Sequence, residues 1–328
     1  MLPGPYERWY AEIADGPSPV ESRSTCDACV MEPGARGLPL EGAFDPAVRC
    51  CTYHPHLAAH FVGGILKDGT AAGIAIVRAR LAARVGVTPL GLGATPAYAA
   101  TYLEVTRTPG VFGRSRDLRC PFHADARCTI WSHRGAPCAA FHCKFDRGAY
   151  GAGLWNLIVV AFNSIERALA RWLVETSGLD ATLSDALLRA PDDRDLDVRA
   201  WGAWHGREAE YFLVAARRIE PMSWVDVAAI GGRELADLGA ALGGAATRFA
   251  AMVPPTRVQR GTEVLHRIGL PGHKVLHHPA LPFDELAVST ELADRLARLE
   301  TSELADLGLD AELVRRLLDW RVLVPAAE

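Results

Sequence analysis

Apolar residues recur at helical spacing along most of the chain. Tyr6 to Ile13 predicts a short first helix, followed by irregular chain rich in Pro and Gly to about residue 50. Residues 57–68 and 70–85 predict two more helices. In the second, Ile74, Ile76, Val77, Leu81 and Val85 recur at mixed three- and four-residue steps. Gly86-Val-Thr-Pro-Leu-Gly-Leu-Gly breaks that pattern, and Ala94–Thr106 resumes it. The clearest stripe runs from Gly153 to Ser177: Trp155, Ile158, Val159, Phe162, Ile165, Leu169, Trp172 and Leu173 share one face. Asn163, Arg167, Arg171 and Glu175 fall elsewhere, and Gly178 is a natural stop. Leu179–Arg189, Glu208–Arg218 and Arg233–Met252 predict further helices, with Pro191-Asp-Asp-Arg-Asp-Leu-Asp as a charged surface turn. Pro254-Pro255 marks a boundary. Beyond it Val264-Leu-His-Arg-Ile, a Leu-Pro-Gly turn and Lys274-Val-Leu-His-His alternate as a hairpin. Thr290–Leu299 and then Leu304 to Val324 predict short helices ending in a strand.

Composition narrows the classes. The 328 residues are 49% hydrophobic and 23% charged, as in ordinary globular proteins, and need no staple merely to fold. Thirty-five basic residues against thirty-nine acidic give a formal charge of −4, which argues against a broad face for nucleic acid or anionic lipid. Only Lys67, Lys144 and Lys274 are lysines, a bias that reflects genomic base composition. The start of the chain lacks a basic region followed by an apolar core. The longest apolar run, Leu154 to Phe162, is too short to cross a bilayer. A cytoplasmic location and no membrane partner are expected. No Gly-x-Ser-x-Gly elbow, Walker loop or His-Glu-x-x-His helix is present, and Gly91-x-Gly93 follows helix and loop rather than a strand.

The eight cysteines change the picture. All lie between residues 26 and 143, as Cys26-x2-Cys29, Cys50-Cys51 and Cys120-x7-Cys128-x9-Cys138-x4-Cys143. Disulfides suit small secreted chains, and bonding adjacent Cys50 and Cys51 would strain the bridge. Buried core thiols would not crowd one part of the chain beside Asp, Arg, His and Pro. A lone redox or nucleophilic cysteine needs no seven neighbours. Metal binding explains the crowding: thiolate suits zinc and iron–sulfur iron, and eight thiolates make two four-ligand sites. Metal ligation, whose apparent energy is about 10–16 kcal/mol for structural zinc, would also order the irregular first fifty residues.

The run Cys120-Pro-Phe, then Cys128-Thr-Ile-Trp131-Ser-His-Arg134 and Cys138-x4-Cys143-Lys144, resembles the YkgJ-type cysteine-cluster family, a zinc- or iron-chelating domain. The likeness is close over residues 118–147, looser over 26–51, and absent after about residue 175. The chain departs from the family where twenty residues separate Cys29 from Cys50. Flagellin lysine N-methylases are similar in carrying such a cluster. The resemblance thus implies a metal site and, beyond it, methyl transfer or redox chemistry on a protein or peptide side chain, with S-adenosylmethionine as a further cofactor.

The expected metal ligands are Cys26, Cys29, Cys50, Cys51, Cys120, Cys128, Cys138 and Cys143, with His54, His56 and His142 as the best substitutes. Trp131, Arg134 and Lys144 are expected beside the cofactor, the two cations offsetting thiolate charge and tuning it. An iron–sulfur cluster, of the four-iron type, is favoured because only one Cys-x2-Cys knuckle is present; closed structural zinc sites in a partner-binding module are the alternative. Trp201-Gly-Ala-Trp204-His205-Gly-Arg207-Glu208 reads as a helix-entry loop with buried tryptophans, or as a pocket lining. The expected fold is mainly α: an irregular cysteine-rich metal-binding lobe (1–150) on a helical body (151–254), then a small α/β tail (255–328). The tail's last segment resembles a winged-helix module, but without an excess of basic residues DNA binding is not its default use, protein docking is as ready a one, and no nucleic-acid partner is expected.

Overall fold

A computed structural model describes the chain except residues 1, 25, 27, 34–42, 191–192, 252–253, 269–270 and 327–328; of residues 265–268 it describes the backbone alone. The protein is mainly α, 54% helix and 10% strand, with small antiparallel sheets. In chain order the helices are α1 (Gly4–Ala14), α2 (Ala59–Asp68), α3 (Ala71–Ala83), α4 (Pro96–Val105), α5 (Ala136–Ala139), α6 (Gly148–Thr176), α7 (Ala181–Arg189), α8 (Arg194–Trp201), α9 (Glu208–Ile219), α10 (Trp224–Ala250), α11 (Thr290–Ala297) and α12 (Ala311–Asp319). The residues fall into two compact units, each discontinuous in sequence: 1–19, 26–140 and 158–241 form the first, and 20–25, 141–157 and 242–328 the second.

In the first unit, α1 packs through aromatics. Tyr6 stacks on Phe162 of α6 at 4.3 Å and meets Phe61 of α2 edge-on at 5.2 Å. The stripe read on α6 is the buried one, with Ile158, Phe162, Ile165, Leu169 and Leu173 at 1% exposure or less. Helices α2 and α9 approach so closely that a Cβ on Gly63 would lie 1.8 Å from the Phe212 carbonyl oxygen, and only glycine fits there. Trp201 is fully buried, edge-on to Tyr211 and Phe212, which supports the helix-entry reading of its loop. Short strands β1 (Leu57–Ala58), β2 (Val87–Thr88) and β3 (Gly91–Leu92) pair in the order β1-β3-β2. A hairpin, β4 (His123–Ala124) with β5 (Arg127–Cys128), pairs His123 with Cys128.

The second unit has two three-stranded antiparallel sheets. In one, β6 (Arg257–Arg260) lies between β10 (Thr301–Glu303) and β11 (Leu323–Pro325); in the other, β8 (His273–His277) lies between β7 (Leu265–Ile268) and β9 (Glu285–Ser289). The predicted hairpin is thus β7–β8, although residues 269–270 of its turn lie outside the described residues. On β9, Leu286 and Val288 are buried and their neighbours exposed, the period-two pattern of a one-sided strand. Buried carboxylates knit the unit together. Glu21 accepts from Asp146 N and Trp155 Nε1, and Asp284, 4% exposed, is held by both Arg23 Nη atoms at 2.7 and 2.9 Å.

Several boundaries differ from expectation; α6 begins at Gly148 rather than Gly153, and three others are instructive. The segment read as a charged turn is largely helix: Asp193 caps α8 by accepting from Leu196 N at 2.9 Å, and Asp195 and Asp197 sit in the helix's electropositive first turn; residues 191–192 lie outside the described residues. Helix α10 starts at Trp224 rather than residue 233, with Gly232 at φ 59° kinking it where a start was expected. Residues 57–58 are strand, and α2 begins only at Ala59.

Candidate metal centre

Seven of the eight predicted ligands, Cys26, Cys29, Cys50, Cys51, Cys120, Cys128 and Cys138, belong to the first unit. Tight turns present them. The Cys51 N–H donates to Val48 O, the Cys120 N–H to Cys51 O at 2.8 Å, and the Cys138 N–H to Gly135 O at the start of α5. Cys128 stands on the β4–β5 hairpin, whose turn residues Asp125 and Ala126 are both left-handed at φ 47° and 58°. None of the eight is in a disulfide.

One side chain ties these turns together. Arg49 donates from Nη1 to Cys26 O at 2.7 Å and to Ala126 O at 2.8 Å, and from Nε to Glu32 at 2.7 Å. It therefore joins Cys26 and Glu32 to its own turn before Cys50 and to the hairpin of Cys128. Spacing alone gave no sign of this role.

The thiols lie within each other's electrostatic reach: Cys50 with Cys29, Cys51, Cys120, Cys128 and Cys138, and Cys128 with Cys26. Burial pushes the Cys120 and Cys138 thiols up to about 12 and also raises Cys29 and Cys128. A hydrogen bond with Cys51, then burial, raises Cys50 well above the ordinary thiol value. Without a bound cation these sulfurs stay protonated at neutral pH.

Among them sits Arg134, 8% exposed, with its Nε donating to Trp131 O and its Nη1 to Cys138 O at 3.1 Å. Burial pulls its pKa down, opposed by Cys128, Cys138, Cys26 and Cys50, and among the described residues no carboxylate is within ion-pair distance of it. Its guanidinium carbon lies 3.4 Å from the centroid of Trp131, itself 45% exposed.

The remaining predicted residues lie otherwise. Cys143 belongs to the second unit, where its Sγ is 3.5 Å from Ser24 Oγ. Lys144, in the same unit, donates to Phe283 O and faces Asp284 at 3.4 Å. His54 uses both ring nitrogens, accepting from Arg80 at Nε2 (3.1 Å) and donating from Nδ1 to Pro55 O (2.9 Å). His56 has a buried Nε2 without a partner, and His142 packs on Trp155 at 4.3 Å. His60 is buried with both nitrogens unpartnered, and burial lowers it to about 3.

A buried acid escaped the spacing argument. Glu166 of α6, 6% exposed, accepts from Ala136 N at 2.6 Å and from the Tyr6 hydroxyl, within the field of Cys138. Burial raises it to about 7. The available signal was a carboxylate four residues after Phe162, on the buried stripe.

Among the described residues no three Cys, His, Asp or Glu side chains converge closely enough to hold a metal ion. The donor chemistry fits a thiolate-bound metal, and Cys26, Cys50, Cys128 and Cys138 lie within the electrostatic reach of Arg134, but the sulfurs do not point at a common centre. No helix is long and apolar enough to cross a membrane among the described residues. Comparison with protein-family models, curated proteins and solved structures found no match to the chain.

Proposed function

We propose that this chain is a metal-binding protein whose cysteines hold one or two iron–sulfur clusters, and that it belongs with the YkgJ-type cysteine-cluster proteins. One observation carries the reading: Arg134 is a buried cation whose ionisable neighbours are thiols rather than carboxylates. A buried charge without a counter-charge is costly. Neutral thiols do not supply one, whereas thiolates on a metal do. The same burial that keeps the thiols protonated makes metal binding a proton-releasing step. Cys26, Cys29, Cys50, Cys51, Cys120, Cys128 and Cys138 are the ligands proposed from the first unit, with Cys143 added by the motif. Such a cluster would supply electron transfer or bind a reacting group, and Arg134 would hold it against excess negative charge.

The proposal extends to a cytoplasmic metalloenzyme acting on a protein or peptide side chain, by methyl transfer with S-adenosylmethionine or by redox chemistry; the cysteine motif alone supports that part. It also takes the segment 1–150 as the metal-binding lobe on a helical body, and the tail as winged-helix-like, for which the order α12 then β11 speaks. The test is iron, zinc and sulfide analysis of anaerobically purified protein. Iron and sulfide in matching amounts, with visible absorption bleached by dithionite, is the expected result. Zinc in simple ratio to cysteine would replace it with the structural-zinc reading, and metal-free protein would overturn both.

A further inference from the structure

The first unit contains a cavity of about 520 Å³ whose walls include Leu2, Pro3, Glu7, Arg8 and Ala11 of the α1 region and Trp131. That volume suits a small organic ligand. Trp131 is 45% exposed although the Arg134 guanidinium covers one face of its indole at 3.4 Å, so what remains open is the opposite face. A cation on one face draws π-density towards itself. The other face is then a poor seat for a second cation and a better one for an electron-rich ring.

The charges on the wall point the same way. Glu7 is already committed, its two oxygens accepting from Ser18 N at 2.9 Å and Ser18 Oγ at 2.6 Å. Arg8 is not: among the described residues its one hydrogen bond runs from Nη2 to Met222 O at 2.7 Å, and its Nε is buried without a partner. Glu220, which lies in the field of Arg8, is paired with Lys67 at 2.6 Å. The cavity therefore combines apolar walls, an open indole face and a guanidinium that no carboxylate pairs among the described residues.

We propose that this cavity binds a flat aromatic molecule carrying one carboxylate, its ring against the open face of Trp131 and its acid group on Arg8. A guanidinium and a carboxylate make the stronger, charge-assisted kind of hydrogen bond, and the planar ring excludes water from it. The proposal rests on the cavity and not on the metal reading.

Calorimetric titration of the purified full chain with naphthoate, naphthylmethanol and naphthylmethylammonium tests it, because the three share a ring and differ in charge. Naphthoate should bind about tenfold tighter than the alcohol, and the ammonium more weakly than either. Arg8→Gln should remove the acid's advantage and leave the alcohol's affinity unchanged. Gly4→Phe, at another wall residue where a Cβ meets no atom within 4 Å, should abolish binding of all three by placing a ring in the cavity. Ala11→Leu, narrowing the same wall, should weaken all three, and circular dichroism checks that each variant folds. No naphthoate binding, equal affinity for the three probes, or undiminished binding by Gly4→Phe and Ala11→Leu would overturn the proposal. Metal analysis of the same samples separates it from the cluster reading, since absence of metal with naphthoate selectivity intact would defeat only the latter.

Discussion

Both units bury charge, and they satisfy it differently. In the second unit each buried carboxylate meets protein donors: Asp284 has Arg23 and Lys144, Asp319 has Arg147, and Glu21 has Trp155 and a backbone amide. In the cysteine region of the first unit the buried cation is Arg134, and around it stand thiols. The first arrangement is complete in the polypeptide alone. The second is complete only when the sulfurs are ionised, and their burial opposes ionisation without a metal. The contrast is the ground on which the metal reading is proposed: the cation of the cysteine region lacks the counter-charge that Asp284 and Asp319 of the second unit have.

The largest expected effect comes from breaking the complete network. Asp284→Ala leaves Arg23 and Lys144 facing a vacated site and should cost about 3 kcal/mol in denaturant unfolding. Arg134→Met is the matching change in the first unit, with the opposite sign for metal-free protein. Removing an uncompensated buried charge should leave the metal-free stability equal or higher, while metal content after anaerobic purification falls. Equal destabilisation by both variants in metal-free protein would erase the distinction between the units.

A smaller effect sharpens the comparison through pH. Glu166 has a folded pKa near 7, above its unfolded value, so its ionisation opposes folding above about pH 4.5 and that penalty fades as pH falls. Burial lowers His56 to about 4 and His60 to about 3, so their penalty grows as pH drops below about 6.5. From pH 7 to 5 His56 and His60 outweigh the acid, and these three groups together should cost metal-free protein about 1–2 kcal/mol. Glu166→Gln keeps an oxygen for Tyr6 and Ala136 but loses the relief, so over the same range it should lose about 2 kcal/mol more than the parent protein. Parallel pH profiles for the two proteins would show that Glu166 stays ionised in the fold.

The smallest effect concerns the hairpin beneath Cys128. Ala126 holds a left-handed φ of 58°, which glycine adopts without steric cost. Ala126→Gly should raise the unfolding free energy by about 1 kcal/mol, read as a higher denaturant midpoint at unchanged slope. A lower midpoint would mean that unfolded-chain entropy outweighs the relieved strain.

Much of the helical frame was legible because burial is periodic along α6, α9 and α11. The kink at Gly232 and the Asp-capped start of α8 were misread, since a glycine pair and an aspartate run each suit a turn as well as a helix boundary. At the site, cysteine spacing and the motif around Trp131 and Arg134 pointed to one neighbourhood. They could not reveal Arg49, whose carbonyl partners are backbone atoms, or the Tyr6–Glu166 pair, whose members lie 160 residues apart. Neither unit is a continuous stretch of sequence, so no composition shift along the chain marks the boundary between them.

The central claim is that these sulfurs are metal ligands, and X-ray absorption at the iron and zinc edges of anaerobically purified protein tests it most directly. The account predicts iron with a first shell of sulfur alone and a second iron nearby, both lost when Cys128 and Cys138 are replaced by serine. A first shell of nitrogen and oxygen, or an unchanged spectrum in the double variant, would contradict it.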